Sequence, residues 1–230
     1  MRFFRRHKLL LLACVLATAA GAQQRSEVRV RLVVPGQSKD SQTPAVVWLK
    51  AVNGTPELPF VPNRRYRLLQ KNRMFTPHLL VIPVGSTVDF PNADPFFHNV
   101  FSLFDGKRFD LGLYEAGSDK QVVFSREGVS YIFCNIHPEM SAVVLALSTP
   151  LYGVTDPQES AVIHDVPRGD YQLNVWVEGV PQGALNSLTR TIHISAPDVD
   201  LGTIQVPIAP VKGHTNKFGD TYDTHPSNPY

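Results

Sequence analysis

Four side chains of metal-binding type constrain this chain more than any other feature of its sequence. Three of them lie in the run Cys134-Asn-Ile-His-Pro-Glu-Met140, which supplies Cys134, His137 and Met140. The fourth, His98, lies far upstream in the run Asn92-Ala-Asp-Pro-Phe-Phe-His98. One thiolate, two imidazoles and one thioether form the ligand set of mononuclear electron-transfer copper sites. The sequence therefore predicts a fold that closes two distant segments around one copper ion.

The first residues of the chain are typical of an export signal. Residues 1–22 combine four basic residues with an apolar run from Leu9 to Ala20, which is too short to span a membrane. Their removal leaves 18 Lys+Arg against 20 Asp+Glu, a formal net charge of −2 that gives no electrostatic support for a nucleic-acid partner. We expect a periplasmic or secreted protein with no membrane span in the mature chain.

Cysteine usage supports the metal interpretation. The chain has two cysteines, and cleavage of the signal would remove Cys14 and leave Cys134 alone in an oxidising compartment. An unpaired cysteine in an exported protein commonly forms an intermolecular disulfide or acts as a reactive thiol. Metal ligation explains Cys134 better, because a histidine and a methionine follow it at short spacing.

The mature sequence predicts an all-β fold. It is rich in Val, Tyr and Phe, is punctuated by Pro and Gly, and has no extended helical periodicity. The connection from Val100 to Lys120 contains turn signals and predicts little regular structure. Candidate strands fall at residues 28–32, 45–49, 73–90 (two strands around a turn at Gly85), 121–124, 131–134 and 142–147, with several more between 153 and 206.

Residues 66–147 resemble the cupredoxin family of blue copper proteins. The resemblance is carried by the order His98, Cys134, His137, Met140 and by the two-residue gaps on either side of His137, which are similar to an amicyanin-type loop and shorter than a plastocyanin-type one. It implies a Greek-key β-sandwich over residues 62–149 that holds one copper ion through these four side chains.

The same resemblance implies roles for the residues around the ligands. Asn99 and the residue after the cysteine, Asn135, would tie the two ligand-bearing segments together, and the aromatic residues Tyr131 and Phe133 would support the cysteine. His137 would reach the surface and pass electrons to partners. The apolar patch around it would consist of Ile136, Pro138, Pro95, Phe96 and Phe97, with a negative charge from Glu139 on its rim.

The flanking segments resemble a second family. The run from Thr155-Asp156 through Ile163-His-Asp-Val-Pro-Arg-Gly-Asp-Tyr171 resembles the carboxypeptidase regulatory-like, transthyretin-type β-sandwich. That likeness implies an outer sandwich made from residues 23–61 and 150–207, with the cupredoxin-like domain inserted in it. Residues 208–230 are polar and rich in turn formers, which predicts a disordered tail.

These features predict an exported carrier of single electrons and not an enzyme, with a periplasmic dehydrogenase or cytochrome as its partner. Two alternatives remain open: a protein that binds or handles copper without electron transfer, and an adhesion or ligand-binding module with an accessory copper domain. The other acidic and histidine residues are expected to occupy turns, loops and surfaces; they include Asp94, Asp105, Asp110, His78, His164, His193, His214 and His225.

Overall fold

The computed structural model describes residues 24–35, 43–103 and 106–207. These residues form strands and short connections, with one helical turn at Gln182–Leu185 and a 3-10 turn at Asn186–Leu188. The predicted all-β class is therefore confirmed. In the part of the chain that the structure describes, no helix has the length and apolarity needed to cross a membrane. The predicted signal peptide and tail lie outside the described residues.

The described residues form seventeen strands. In chain order these are β1 (Arg25–Val33), β2 (Ala45–Val52), β3 (Tyr66–Arg67), β4 (Leu69–Lys71), β5 (Met74–Thr76), β6 (Leu79–Pro83), β7 (Ser86–Pro91), β8 (His98–Ser102), β9 (Phe109–Tyr114), β10 (Asp119–Phe124), β11 (Gly128–Cys134), β12 (Ser141–Leu147), β13 (Tyr152–Val154), β14 (Ser160–Pro167), β15 (Gly169–Val177), β16 (Arg190–Ile194) and β17 (Asp198–Gln205).

The outer pair of sheets combines strands from both ends of the described chain. One sheet has the order β14-β1-β17 and the other the order β13-β2-β15-β16. Val28, Leu49 and Leu173 are completely buried in the core of these strands. The chain thus leaves this sheet pair after β2 and returns to it at β13, as an inserted central domain requires. The domain boundaries and the likeness to the carboxypeptidase regulatory-like family stay predictions.

The central sandwich lies between these flanks in the sequence. A five-stranded sheet of order β6-β12-β11-β8-β9 faces a three-stranded sheet of order β10-β7-β3, and β4 and β5 form a separate hairpin. Phe90, Phe124 and Ile132 are buried in the core of this sandwich. Packing of two sheets face to face is the ordinary way to bury one apolar face of each.

The expectation of little regular structure between Val100 and Lys120 is wrong. Strands β8 and β9 pair antiparallel, and β10 begins at Asp119. β9 is an edge strand whose residues are mostly half-buried or exposed, and Gly112 within it has a positive φ of 66°. The apolar residues of β9 do alternate in the sequence, but a glycine inside so short a strand pattern weakens the prediction and marks an irregularity, here the register shift between β8 and β9.

Strand β12 is buried on both faces. Its even-numbered residues Ala142 and Val144 belong to the core of the central sandwich, whereas Val143 and Leu145 belong to the outer core. Because side chains alternate along a strand, one strand can serve two cores at once. The five-stranded sheet is therefore covered by the three-stranded sheet on one face and by the outer sheets on the other.

Polar contacts join the two sandwiches around this shared sheet. Nε1 of Trp176 donates to the hydroxyl of Tyr131 at 3.3 Å. His78 forms an ion pair through Nε2 with Oε1 of Glu178 at 2.7 Å, and its Nδ1 lies 3.1 Å from the carbonyl of Ser141. The hydrogen bond with Glu178, which outweighs the opposing effect of burial, raises the pKa of His78 above its ordinary value.

This ion pair predicts a pH-dependent stability. Because the folded-state pKa of His78 is raised, its contribution is complete below the unfolded-state pKa of about 6.5 and is lost as the pH rises through the folded-state value. Both side chains are partly exposed, so we expect Glu178→Gln to lower the free energy of unfolding by about 0.5 kcal/mol at pH 5.5 and to have little effect at pH 9. Chemical denaturation at both pH values measures the difference.

The matched control is Glu159→Gln, which removes the ion pair between Glu159 and Arg31. Since Arg does not titrate in this range, its effect should be the same at both pH values. An effect of Glu178→Gln that is equally independent of pH would contradict the assignment.

Candidate metal centre

Three metal-binding side chains lie together at one end of the central sandwich. His98 is the first residue of β8 and Cys134 the last residue of β11. These strands are neighbours, and Cys134 pairs with Val100 across them. His137 lies in the loop that joins β11 to β12. Strand pairing thus brings together two segments that are far apart in the sequence.

The ligand atoms of these residues converge on one point. Nδ1 of His98 lies 3.1 Å from Nδ1 of His137, and Sγ of Cys134 lies 3.7 Å from the first nitrogen and 3.4 Å from the second. Three ligands in a trigonal arrangement at about 2.0–2.3 Å from one ion would lie about 3.5–3.8 Å apart. The observed triangle is close to this size, so the three residues fit a single metal ion.

Met140 closes the ligand loop. Its backbone N–H donates to the carbonyl of His137 at 3.0 Å, and its own carbonyl accepts from the N–H of Cys134 at 3.2 Å. The Met140 side chain is fully buried in the same apolar core as Cys134. The fourth predicted ligand therefore lies in a dry environment and is tied through its backbone to two of the others.

The thiol of Cys134 is completely buried. Burial raises its pKa, while backbone N–H groups of Asn99, Ile136 and His137 directed at the sulfur oppose that rise. Burial, followed by the nearby His98, lowers the pKa of His137. The lowered pKa of His137 favours its neutral imidazole, which is the form that binds metal. A buried thiolate, in contrast, needs a positive charge beside it.

Asp94 fixes the orientation of the His98 ring. Its Oδ2 lies 2.9 Å from Nε2 of His98, and both groups are buried. The carboxylate also accepts the backbone N–H groups of Asn72 and Arg73, at 2.6 and 3.0 Å. Burial alone would raise the pKa of Asp94, but these hydrogen bonds and His98 lower it. An ionised Asp94 accepts the Nε2 proton, so Nδ1 of His98 presents its lone pair to the cluster.

Sequence reasoning placed Asp94 on a loop surface, and the structure corrects this. Only 5% of Asp94 is exposed. In the sequence, only the position of Asp94 four residues before His98 could have indicated a contact with that histidine. The hydrogen-bond donors at residues 72 and 73 are brought to Asp94 by the tertiary fold and leave no sign in the sequence.

An aromatic ring covers the histidine pair. The centroid of Phe96 lies 5.3 Å from that of His98 and 5.6 Å from that of His137. His98 is fully buried and His137 half-buried, so only the second imidazole approaches the surface. Of the five predicted patch residues, Phe96 is half-buried and the other four are exposed, namely Pro95, Phe97, Ile136 and Pro138.

Asn99 links the two ligand-bearing strands through its backbone, since its N–H is directed at the sulfur of Cys134. Its side-chain amide donates to Oδ1 of Asp110 at 2.7 Å, a residue that sequence reasoning assigned to a turn or loop surface and that lies on β9. Asn135 is half-buried at the start of the ligand loop. The predicted tie between Asn99 and Asn135 stays a prediction.

The placement of Tyr131 and Phe133 differs from the expectation. Strand alternation puts both on the face of β11 opposite to Cys134. Tyr131 packs against the outer core and accepts the hydrogen bond of Trp176, and the ring of Phe133 packs on that of Phe101. They therefore support the sheet from behind and do not surround the thiol.

The comparisons with known proteins found similar solved structures but no matching family model or curated sequence. No protein-family model matches this sequence, and no curated protein sequence matches it. Similar solved structures include a purple cupredoxin from Nitrosopumilus maritimus, at 29% identity, covering 36% of this chain and 99% of that chain with a TM-score of 0.33.

Two further solved structures are similar. A copper-containing nitrite reductase from Thermus scotoductus SA-01 is 22% identical over 50% of this chain and 28% of that chain, with a TM-score of 0.35. An oxidised amicyanin variant is 19% identical over 38% of this chain and 86% of that chain, with a TM-score of 0.35. On its own topology and on the cluster at its end, the central sandwich is a cupredoxin-like fold with a potential metal centre.

The contact between Asp94 and His98 generates a prediction. Asp94→Asn keeps the shape of the side chain but removes the charge that holds the Nε2 proton, so we expect the affinity of the cluster for an added metal ion, probed with Cu(II), to fall about 10-fold to 100-fold. Competition with a chelator of known affinity measures the change. Asp156→Asn is the matched control, since Asp156 also accepts two backbone N–H groups but lies in the outer sandwich. Equal affinity in the two variants would contradict a positioning role for Asp94.

Proposed function

We propose that this chain is an exported copper protein that carries single electrons between redox proteins. The observation that carries the proposal is the convergence of two imidazole Nδ1 atoms and one thiolate within 3.1–3.7 Å of one another in a buried site. His98, Cys134 and His137 would hold the ion, with Met140 as the weak fourth ligand. Copper bound there would supply a one-electron couple between its cuprous and cupric states.

The donor set favours copper over zinc. A structural zinc site uses four strong ligands drawn from thiolate, imidazole and carboxylate. Here the cluster contains one thiolate and two imidazoles, and Met140 offers a thioether in place of a fourth strong ligand. Thiolate and thioether are soft ligands that select cuprous copper, while imidazole suits both oxidation states.

The surroundings support electron transfer over catalysis. Cys134, His98 and Met140 are completely buried, so a substrate could approach the ligand atoms only past the half-buried His137. Asp94 holds one imidazole, and backbone N–H groups hold the sulfur. A cluster fixed in this way changes little between two oxidation states, which is what fast electron exchange needs.

His137 is the proposed outlet for electrons. Its half-buried ring lies beside Phe96 and among exposed apolar residues, including Phe97 at 55% and Ile136 at 45% exposure. Exposed apolar clusters of this kind are typical of surfaces that bind partners. We propose that a periplasmic dehydrogenase or cytochrome docks there.

The absorption and EPR spectra of the Cu(II)-loaded protein test the site. We expect an intense visible thiolate-to-copper band and a narrow copper hyperfine splitting, both lost in Cys134→Ser. A colourless protein after loading and oxidation would contradict the proposal. A coloured protein that cannot be reduced and reoxidised reversibly would instead support a role in copper handling.

The proposed outlet gives a second prediction. Pro138→Glu adds a charge to the exposed apolar patch without touching a ligand atom. We expect the copper spectrum to be nearly unchanged and the electron self-exchange rate, measured by NMR line broadening, to fall about 10-fold, because contact between two such apolar patches would bury the added charge at a cost in free energy. The control is Pro157→Glu, at an exposed proline of the outer sandwich, which should leave the rate unchanged. Equal rates in both variants would count against His137 as the outlet.

A further inference from the structure

The hairpin of β4 and β5 presents a basic tip beside the proposed outlet. Lys71, Asn72, Arg73 and Met74 form this tip, and all four are exposed. The guanidinium of Arg73 lies 5.3 Å from the centroid of Phe96. Because the same ring contacts His137, the positive charge of the tip lies at the edge of the surface from which electrons would leave.

The positive charge of the tip faces solvent. Arg29, Arg31 and Arg65 of this chain have carboxylate partners, but none of the ion pairs formed by the described residues includes Lys71 or Arg73. The neighbouring Asp94 is buried and is already held by two backbone N–H groups and by His98. The positive charge of the tip can therefore attract negatively charged molecules outside the chain.

Arg73 occupies a backbone conformation that its side chain does not favour. Asn72 and Arg73 have φ values of 56° and 55°, as a two-residue turn with two left-handed residues requires. Asn suits the first position, but glycine is the residue that suits the second. Strain at a non-glycine residue is typical of positions where the side chain has a function. Here the side chain in question is that of Arg73, whose guanidinium lies over the ring of Phe96.

A negative charge also lies close to the outlet. Glu139 is exposed two residues after His137, and its charge raises the pKa of that histidine while Arg73 lowers it. A partner with an acidic patch would be attracted by the tip and repelled by Glu139, which fixes its orientation over Phe96 and His137.

We infer that the basic hairpin tip docks an acidic surface of the redox partner against the His137 outlet. This inference rests on the proposed electron-transfer function and names the kind of partner that function would use. A partner with a basic docking surface would be repelled by the positive charge of the tip.

Binding of an acidic probe tests the surface without any redox step. In a two-dimensional NMR titration of the folded protein with hexaglutamate at low salt, we expect shifts in the amides of residues 69–76 and of Phe96 and Phe97. The double variant Lys71→Gln/Arg73→Gln should weaken binding about 3-fold to 10-fold. The control variant Arg168→Gln/Arg190→Gln removes two exposed charges of the outer sandwich and should bind as the parent does. Shifts that map elsewhere, or that survive the double variant, would overturn the inference.

Arg73→Gly separates docking from folding. Glycine relieves the left-handed backbone and removes the charge, so the midpoint of chemical denaturation should be equal or higher while hexaglutamate binding weakens. Weaker binding together with a lower midpoint would assign the effect to loss of the hairpin and overturn the inference.

Oxidation of the reduced copper protein by hexacyanoferrate(III) connects the surface to the function. One electron passes from Cu(I) to Fe(III) in this reaction. We expect the double variant to slow it about 3-fold to 10-fold at low ionic strength and Glu139→Gln to speed it, with both effects reversed for a cationic cobalt(III) tris(phenanthroline) oxidant. Hexaglutamate binding in a protein that exchanges no electrons would contradict the proposed function alone. Exchange at one rate in every variant would contradict the docking surface alone.

Discussion

The contact on which the rest of the structure depends is that of a buried thiol with two imidazoles. A thiolate in an apolar core is costly without positive charge beside it, and three backbone N–H groups only partly offset the rise that burial causes in the pKa of Cys134. The end of β11, the start of β8 and the short loop to Met140 all serve to place the imidazoles against that sulfur. A soft cation is the partner that makes such a core favourable.

The outer sandwich gives this site its rigidity. β12 follows the ligand loop directly, and its alternate residues are packed into two different cores. A strand held on both faces has little freedom to move, so the loop that carries His137 and Met140 is anchored at its far end. The hydrogen bond from Trp176 to Tyr131 restrains the neighbouring strand β11 from the same side of the sheet. The second sandwich thus supports the strands that carry the candidate metal centre.

The sequence predicted the strongly patterned elements and the residues of the cluster, and it failed where tertiary contacts decide. β12 was visible because its apolar run is continuous, whereas the short alternation of the edge strand β9 contains Gly112 and lies among turn signals. Asp94 was assigned to a surface because its hydrogen-bond donors come from a hairpin 21–22 residues upstream. The placement of Tyr131 and Phe133 could have been predicted from strand alternation alone, since odd-numbered side chains of β11 point to the face opposite to Cys134.

One short hairpin joins the candidate metal centre to the molecular surface. The turn of Asn72 and Arg73 directs two N–H groups to Asp94, which orients His98, and the same turn sets the Arg73 side chain on Phe96. The backbone of the turn thus acts inward on His98, while its exposed side chains would act outward on the proposed partner. Because both effects come from one turn, the charge proposed to meet a partner lies close to the two histidines. Side-chain charge can then change in evolution without disturbing the ligand, since Asp94 binds only the backbone of the turn.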